Sequence, residues 1–250
     1  KIGNGYLNDQ NQGLMFINPG LMTQLEKLGY DFIFVDFDTN YTWLQANAYV
    51  VEAVLRKVNQ MKWANGSTHK NVLVGPSMGG VVCRYALAHM KTLEAANPGN
   101  PDYEHDTKLF IAHDAPLLGA NQPMGLQALK MHAYKTIFED HKLVIDPREF
   151  EDIYWDYLDL LCPAARQMLI YQYNYTGSLY GSFYTEMNAL NSGSIGCKAV
   201  AISNGSGSGV KQKDASNTIT LGEEDLMWHA YNHATESSGM PIFTPCRTKP

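Results

Sequence analysis

The run Val72-Leu73-Val74-Gly75-Pro76-Ser77-Met78-Gly79-Gly80-Val81-Val82 decides how the rest of the chain is read. An apolar β-branched stretch, a glycine-flanked turn and a helical repeat follow one another without a break. The turn has the spacing G-x-S-x-G, centred on Ser77. A serine hydroxyl becomes a useful nucleophile when it projects from a sharp strand-to-helix turn towards a base. Such a turn brings strand and helix backbones together, so glycine is expected at Gly75 and Gly79. The amide of Met78 would open the helix and face a developing oxyanion.

The flanks have the periodicities this turn requires. Asn71-Val72-Leu73-Val74 suits a short buried strand. Val81, Val82, Tyr85, Ala86, Leu87 and Met90 recur at helical spacing.

Working outward towards the N-terminus, Trp43 to Trp63 reads as a long amphipathic helix. Its apolar face is Leu44, Ala48, Val51, Leu55, Val58 and Met61. Tyr30-Asp31-Phe32-Ile33-Phe34-Val35-Asp36-Phe37 reads as a strand, and Gly20 to Leu28 as a helix that stops at Gly29. Residues 1–19, rich in Asn, Gly and Gln, read as loop, with Leu14-Met15-Phe16-Ile17 as the one candidate strand.

In the other direction, Lys108 to His113 is the next expected strand, ending at Asp114-Ala115-Pro116. Alternating helices and apolar strands, with connections long enough for right-handed crossovers, imply an α/β fold with a mainly parallel sheet flanked and covered on both faces by helices. Its functional residues belong just beyond the C-terminal ends of the strands.

The pattern changes between residues 122 and 191. Met124–His141 and Glu149–Tyr173 read as helices rich in aromatics and methionine, an inserted helical cap or lid in an otherwise single domain of residues 1–250. Packing alone would explain Tyr154, Trp155, Tyr157, Leu160, Leu161, Met168 and Leu169. The sharper reading has some of them lining an apolar acyl pocket. Strand pattern returns at Ile195 to Ser203 and runs into the flexible turn Asn204 to Gly209, which lacks the lysine of a phosphate-binding loop. Thr218–Leu221 reads as a short strand and Glu223–His233 as a helix.

Composition excludes several classes. The chain has 250 residues, 45% of them hydrophobic and 18% charged, which is globular rather than disordered. A formal charge of -6 and the lack of any Lys/Arg cluster argue against nucleic acid as a partner. No apolar run has the length of a membrane span. Cys83, Cys162, Cys197 and Cys246 lack metal-ligand spacing, and Cys83 is expected as a small core residue. Few lysines and many Tyr, Asn, Gly and Ser residues suit a secreted or periplasmic protein. The chain opens on Lys1 rather than methionine, as it would after loss of a leader or trimming of its start.

With the turn set in such a sheet, the chain resembles the α/β-hydrolase superfamily on its lipase and esterase branch. Leu44-Gln45-Ala46-Asn47-Ala48, Gly75 to Leu87 and His113-Asp114-Ala115-Pro116-Leu117-Leu118-Gly119-Ala120-Asn121 look like a group of secreted bacterial lipase-like hydrolases, distantly similar to lipases that deacylate glycolipid anchors. Cys162 to Leu169 and Ala201 to Ser206 fit that group too. The likeness covers roughly residues 28–207. Where the group usually has Pro-His, this chain has Pro116-Leu117. The fold also calls for strands and an oxyanion loop ahead of the first crossover helix, and only residues 1–19 stand there.

The resemblance implies hydrolysis of a carboxylic ester through an acyl-enzyme on Ser77, without cofactor or metal. Its substrate would be a small-molecule or lipid ester, met through transient contact with a lipid surface. The first oxyanion donor is the Met78 amide, and a second is expected near Gly3 or Gly5. In this fold the triad runs Ser, acid, His along the chain. Asp114, just past a strand end, is the favoured acid, with Asp214 and Asp225 as rivals. His229 and His233 are the bases that this order allows, with His233 preferred. They are four residues apart, but the pair lacks the Glu of H-E-x-x-H, which argues against a metal site. His113 would support the acid. Two other readings use the same residues: a non-catalytic binding module of the same fold, and an acyltransferase in which an alcohol replaces water.

Overall fold

The computed structural model describes residues 19–136, 158–173, 179–203, 226–228 and 246–248, the last two segments by backbone alone. The protein is of α/β class, with helices around a three-stranded parallel sheet. In chain order the elements are α1 (Pro19–Lys27), α2 (Leu44–Ala64), β1 (Asn71–Pro76), α3 (Met78–Ala96), β2 (Thr107–His113), α4 (Met124–Tyr134), α5 (Pro163–Met168), α6 (Tyr180–Ala189), β3 (Lys198–Ile202), β4 (Leu226–Trp228) and β5 (Cys246–Thr248). Contacts divide the chain into two units. One holds residues up to Leu117 together with Met187–Ile202, and the other holds Leu118–Glu186 and the residues from Ser203 onward. These divisions fall a few residues before the bounds of 122 and 191 read from composition.

In the first unit β2 lies between β1 and β3. The register sets Val74 beside Ile111 and Ile111 beside Val200, then Pro76 beside His113 and His113 beside Ile202. Successive side chains alternate between faces. Phe110 and Ala112 therefore share one face and are buried, and α3 packs on it through its glycine-rich first turn. Val74, Val200 and Ile202 are on the other face and are exposed. Covering on both faces is thus not seen among the described residues.

The helical repeat after Ser77 forms the core as the spacing predicts. Val81, Val82, Tyr85, Ala86, Leu87 and Met90 of α3 are all buried, facing Leu44, Ala48, Val51 and Leu55 of α2. At the end of α2 the buried stripe departs from expectation. Met61 is exposed and Asn59 is buried instead. The reason is a polar network at the N-terminal edge of the sheet. The Asn59 amide donates to the Glu104 carbonyl at 2.9 Å, and the Asn71 amide donates to Asn59 Oδ1 at 2.8 Å. Lys62 Nζ reaches Asp106 Oδ2 at 2.7 Å, Asn71 Oδ1 at 2.9 Å and the His69 carbonyl at 2.8 Å. Every buried group there has a partner, so the polar burial is tolerated.

Two expected elements are different. Residues 31–37 form no strand. A strand needs a neighbour's N–H and C=O groups, and β1 pairs only with β2 among the described residues. Within the expected helix 223–233, Leu226–Trp228 is a strand paired antiparallel with Cys246–Thr248. That pairing partner is some twenty residues distant in sequence and outside any local pattern.

In the second unit, the long helix expected over 149–173 is interrupted. Residues 158–161 are helical, and α5 restarts at Pro163. Proline lacks the N–H that a continuous helix would use and suits a first helical position. Cys162 caps the restart, with its sulfur accepting from the Ala165 amide at 3.4 Å. Buried Gln127 of α4 bonds the carbonyls of Gln122 and Tyr171, at 2.9 and 3.0 Å, and accepts from the Tyr173 amide at 3.0 Å. Residues 137–157, expected to hold much of the cap's aromatic surface, lie outside the described residues.

Candidate active site

β1 ends at Pro76 and α3 begins at Met78, so Ser77 alone makes the turn between them. Its backbone sits at φ 49°, ψ −129°. L-residues avoid this region, and holding one there costs on the order of 1–3 kcal/mol. Three contacts hold it. The Ser77 amide donates to the His113 carbonyl at 2.8 Å, the Ser77 carbonyl accepts from the Gly80 amide at 3.0 Å, and the backbones on either side pack tightly.

The packing singles out two glycines. A Cβ at Gly75 would lie 2.6 Å from the Gly79 carbonyl oxygen. A Cβ at Gly80 would lie 2.4 Å from Ala115 Cβ and 2.9 Å from the Gly75 oxygen. At Gly79 it would meet only Pro76 Cδ at 3.5 Å, an ordinary contact. The expectation for Gly75 holds. The crowding assigned to Gly79 belongs to Gly80, because the first turn of α3 rotates that position onto the β2 loop.

Serine at a helix N-cap normally turns its hydroxyl onto the second or third amide of the helix. Ser77 makes no such bond. Its side chain is exposed, at the N-terminus of a 19-residue helix where backbone N–H groups favour negative charge. Met78 is the first residue of that helix, and the N–H groups of a first turn lack intrahelical acceptors.

Asp114 stands on the neighbouring strand end. The register pairs Pro76 with His113, so Ser77 and Asp114 each lie one residue beyond a matched pair. Neighbouring strands run about 4.8 Å apart. Asp114 also has a positive φ, 48°, and its amide donates to the Ile202 carbonyl of β3 at 2.6 Å. The carboxylate is exposed, and half-buried His113 shares its sheet face with Pro76 and Ile202. The structure thus brings Ser77, Met78 and Asp114 to one edge of the sheet. His229, His233, Asp214, Asp225, Gly3 and Gly5 lie outside the described residues.

Sequence reasoning passed over Arg84. It lies seven residues after Ser77 on α3, and its guanidinium donates to the Leu117 carbonyl at 3.1 Å and to Asn188 Oδ1 at 2.8 Å. A lone arginine in the apolar run Val81-Val82-Cys83-Arg84-Tyr85-Ala86 was the available signal.

Among the described residues no group of three or more His, Cys, Asp or Glu side chains is arranged to hold a metal ion. Among the same residues no helix is long and apolar enough to cross a membrane. Comparison with family models, curated proteins and solved structures found no match to this chain.

Proposed function

We propose that the protein is a serine hydrolase of carboxylic esters, a lipase or esterase of the α/β-hydrolase type, acting through an acyl-enzyme on Ser77. One observation carries the reading: Ser77 caps α3 in position but not in bonding, held at a costly backbone geometry with its hydroxyl free of the helix. A serine placed only to cap would gain about 1 kcal/mol from the bond that this one forgoes.

In the proposed reaction Ser77 Oγ attacks the ester carbonyl carbon while a histidine takes its proton. His233 is the preferred base, with His229 the alternative. Negative charge on the tetrahedral oxygen is stabilised by the Met78 amide at the start of α3. The intermediate collapses, the C–O bond to the alcohol breaks, and the histidine returns the proton to the leaving oxygen. Water then repeats the sequence on the acyl-enzyme and frees the acid. Asp114 orients the histidine and stabilises its protonated form. In this reading the segment 122–191 is the helical cap or lid, and it favours an apolar acyl group. The protein works outside the cytoplasm, secreted or periplasmic, on small or lipid esters.

The test is fluorophosphonate labelling of the full chain, with Ser77→Ala as control. Rapid labelling that disappears in Ser77→Ala is the expected result. No labelling of the folded protein would sink the hydrolase reading and favour a binding module. Faster turnover of acetyl than of octanoyl p-nitrophenyl esters would count against the apolar acyl preference. Ester products in the presence of excess alcohol would favour acyl transfer over hydrolysis.

A further inference from the structure

We infer that a cavity within the second unit, walled by α5 and the helical turn before it, is a binding site for an uncharged alkyl alcohol of medium chain length. The inference goes beyond the proposed hydrolase function and does not need a reactive Ser77.

The cavity has a volume of about 270 Å³ and opens to solvent. Its apolar wall is Ala120, Leu160, Ala165, Met168 and Leu169, with Leu160 and Leu169 buried. Gln122, Lys130 and Asp159 complete the lining.

Bonds within the protein hold this wall in place. Ala120 pairs with Leu169 in an isolated parallel bridge. The Ala120 amide donates to the Met168 carbonyl at 2.8 Å, and its carbonyl accepts from the Ile170 amide at 3.1 Å. Cys162 joins the two helical pieces. Its thiol donates to the Asp159 carbonyl at 3.2 Å, and its sulfur accepts from the Ala165 amide at 3.4 Å. Gln127 ties α4, which carries Lys130, to Gln122, Tyr171 and Tyr173. These backbone groups are bonded to one another, so the wall offers a ligand mainly carbon and sulfur. A space already held open needs little ordering when it is filled, which favours binding of a small molecule.

The lining also selects the ligand. At about 30 Å³ per water, the volume equals that of about nine waters, and a chain of about nine non-hydrogen atoms takes a similar space. The apolar wall favours an alkyl chain, and the adaptable thioether of Met168 suits an unbranched one. The head group is decided by charge. An anion drawn to Lys130 shares the cavity with Asp159, and a cation drawn to Asp159 shares it with Lys130. An ion of either sign therefore meets a like charge. The Gln122 amide offers an uncharged donor and an uncharged acceptor. A hydroxyl matches both, whereas an ester oxygen can only accept. In a hydrolase of alkyl esters this is the chemistry of the released alcohol, not of the released acid.

The experiment titrates 1-octanol, octanoate and octylamine into the full chain, as wild type and as Ser77→Ala, with isotope-labelled methionine methyl groups read by NMR. Met168→Leu assigns the Met168 signal. 1-Octanol should move that signal saturably and alike in both proteins, while Met22 and Met90, buried in the first unit, stay in place. Octanoate and octylamine should bind at least about tenfold more weakly. Ala165→Leu, which fills the cavity, should weaken 1-octanol by about tenfold or more. Leu160→Ala, which enlarges it, should turn the preference from 1-octanol to 1-decanol. Two rim variants leave the apolar wall intact. Gln122→Ala should weaken 1-octanol by about threefold, and Asp159→Asn should bring octanoate to within about twofold of 1-octanol.

No saturable shift at Met168 would overturn the inference. So would tighter binding of octanoate or octylamine to wild type, or an unchanged 1-octanol affinity in both Ala165→Leu and Gln122→Ala. Movement of Met22 and Met90 together with Met168 would overturn it too, because that marks general partition into apolar protein. Fluorophosphonate labelling plays no part in these titrations, so failure of the hydrolase reading and failure of this one are read separately.

Discussion

The backbone N–H of Ser77 donates to the carbonyl of His113 at 2.8 Å, one step beyond the last matched pair of β1 and β2. That bond extends the parallel ladder into the turn. It makes the conformation of Ser77 a property of the sheet as well as of the tight turn. Asp114 repeats the arrangement on the next strand, with its amide on Ile202. Two residues at positive φ, on adjacent strand ends, are thus each held by the next strand across.

Strain at Ser77 is open to measurement. Glycine adopts φ 49° without a Cβ penalty, while serine there pays for it. Ser77→Gly should raise unfolding stability by about 1 kcal/mol, after allowing for the added flexibility of the unfolded chain. Ser77→Ala, which keeps the Cβ, should be nearly neutral. Urea unfolding midpoints of the three proteins check this, and a less stable Ser77→Gly would remove the case for strain.

The two adjacent glycines of α3 should respond oppositely to alanine. Gly80→Ala places a methyl 2.4 Å from Ala115 Cβ and should cost about 1–3 kcal/mol as the Asp114 turn is pushed aside. Gly79→Ala meets only an ordinary contact at 3.5 Å and should change stability by less than about 1 kcal/mol, in the stabilising direction. Thermal melts of both variants give the comparison, and equal losses would contradict the assignment of the crowding to Gly80.

Glu52 is buried between α2 and α3, bonded to His89 Nδ1 at 2.7 Å and to Arg56 at 3.1 Å. Burial pushes its pKa above the ordinary 4.5, partly opposed by His89 and Arg56. The folded protein therefore holds this proton more tightly than the unfolded chain. Stability from this group is fullest below 4.5 and is lost as pH rises through the higher folded value. Relative to wild type, Glu52→Gln should gain stability as pH climbs across that window. Urea denaturation at pH 4 through 7 would show it, and a constant difference between the two proteins would refute it.

Cys83 is buried in α3, and loss of solvent pushes its thiol up to about 12. A thiol reacts as its thiolate, so Cys83 should stay silent to a disulfide reagent at pH 8 while the protein is folded. Half-buried Cys162 and Cys197 should react first, and Cys83 only on unfolding. Peptide mapping of the modified protein would identify each site.

Local signals in the chain carried a good deal. The repeat Val81, Val82, Tyr85, Ala86, Leu87 and Met90 specified α3 and its buried face, because a helix of fixed pitch puts those side chains on one side. Asn71 to Val74 and Lys108 to His113 were legible as strands from their apolar runs, and Ser77 and Asp114 as the residues just past them. What spacing along the chain determined was the strand–turn–helix at Ser77 and the α/β class.

Tertiary structure decided the rest. Residues 31–37 have strand-like composition but no strand to pair with among the described residues, and Leu226–Trp228 is a strand because Cys246–Thr248 pairs with it. Gly80, not Gly79, is the crowded glycine because Ala115, thirty-five residues on, lies against it. Arg84 became visible only through Leu117 and Asn188, distant in sequence and adjacent in the fold. Periodicity reports which side of an element is apolar. It carries no information about which distant backbone supplies a hydrogen bond or fills a space, and those partners are fixed only when the chain has folded.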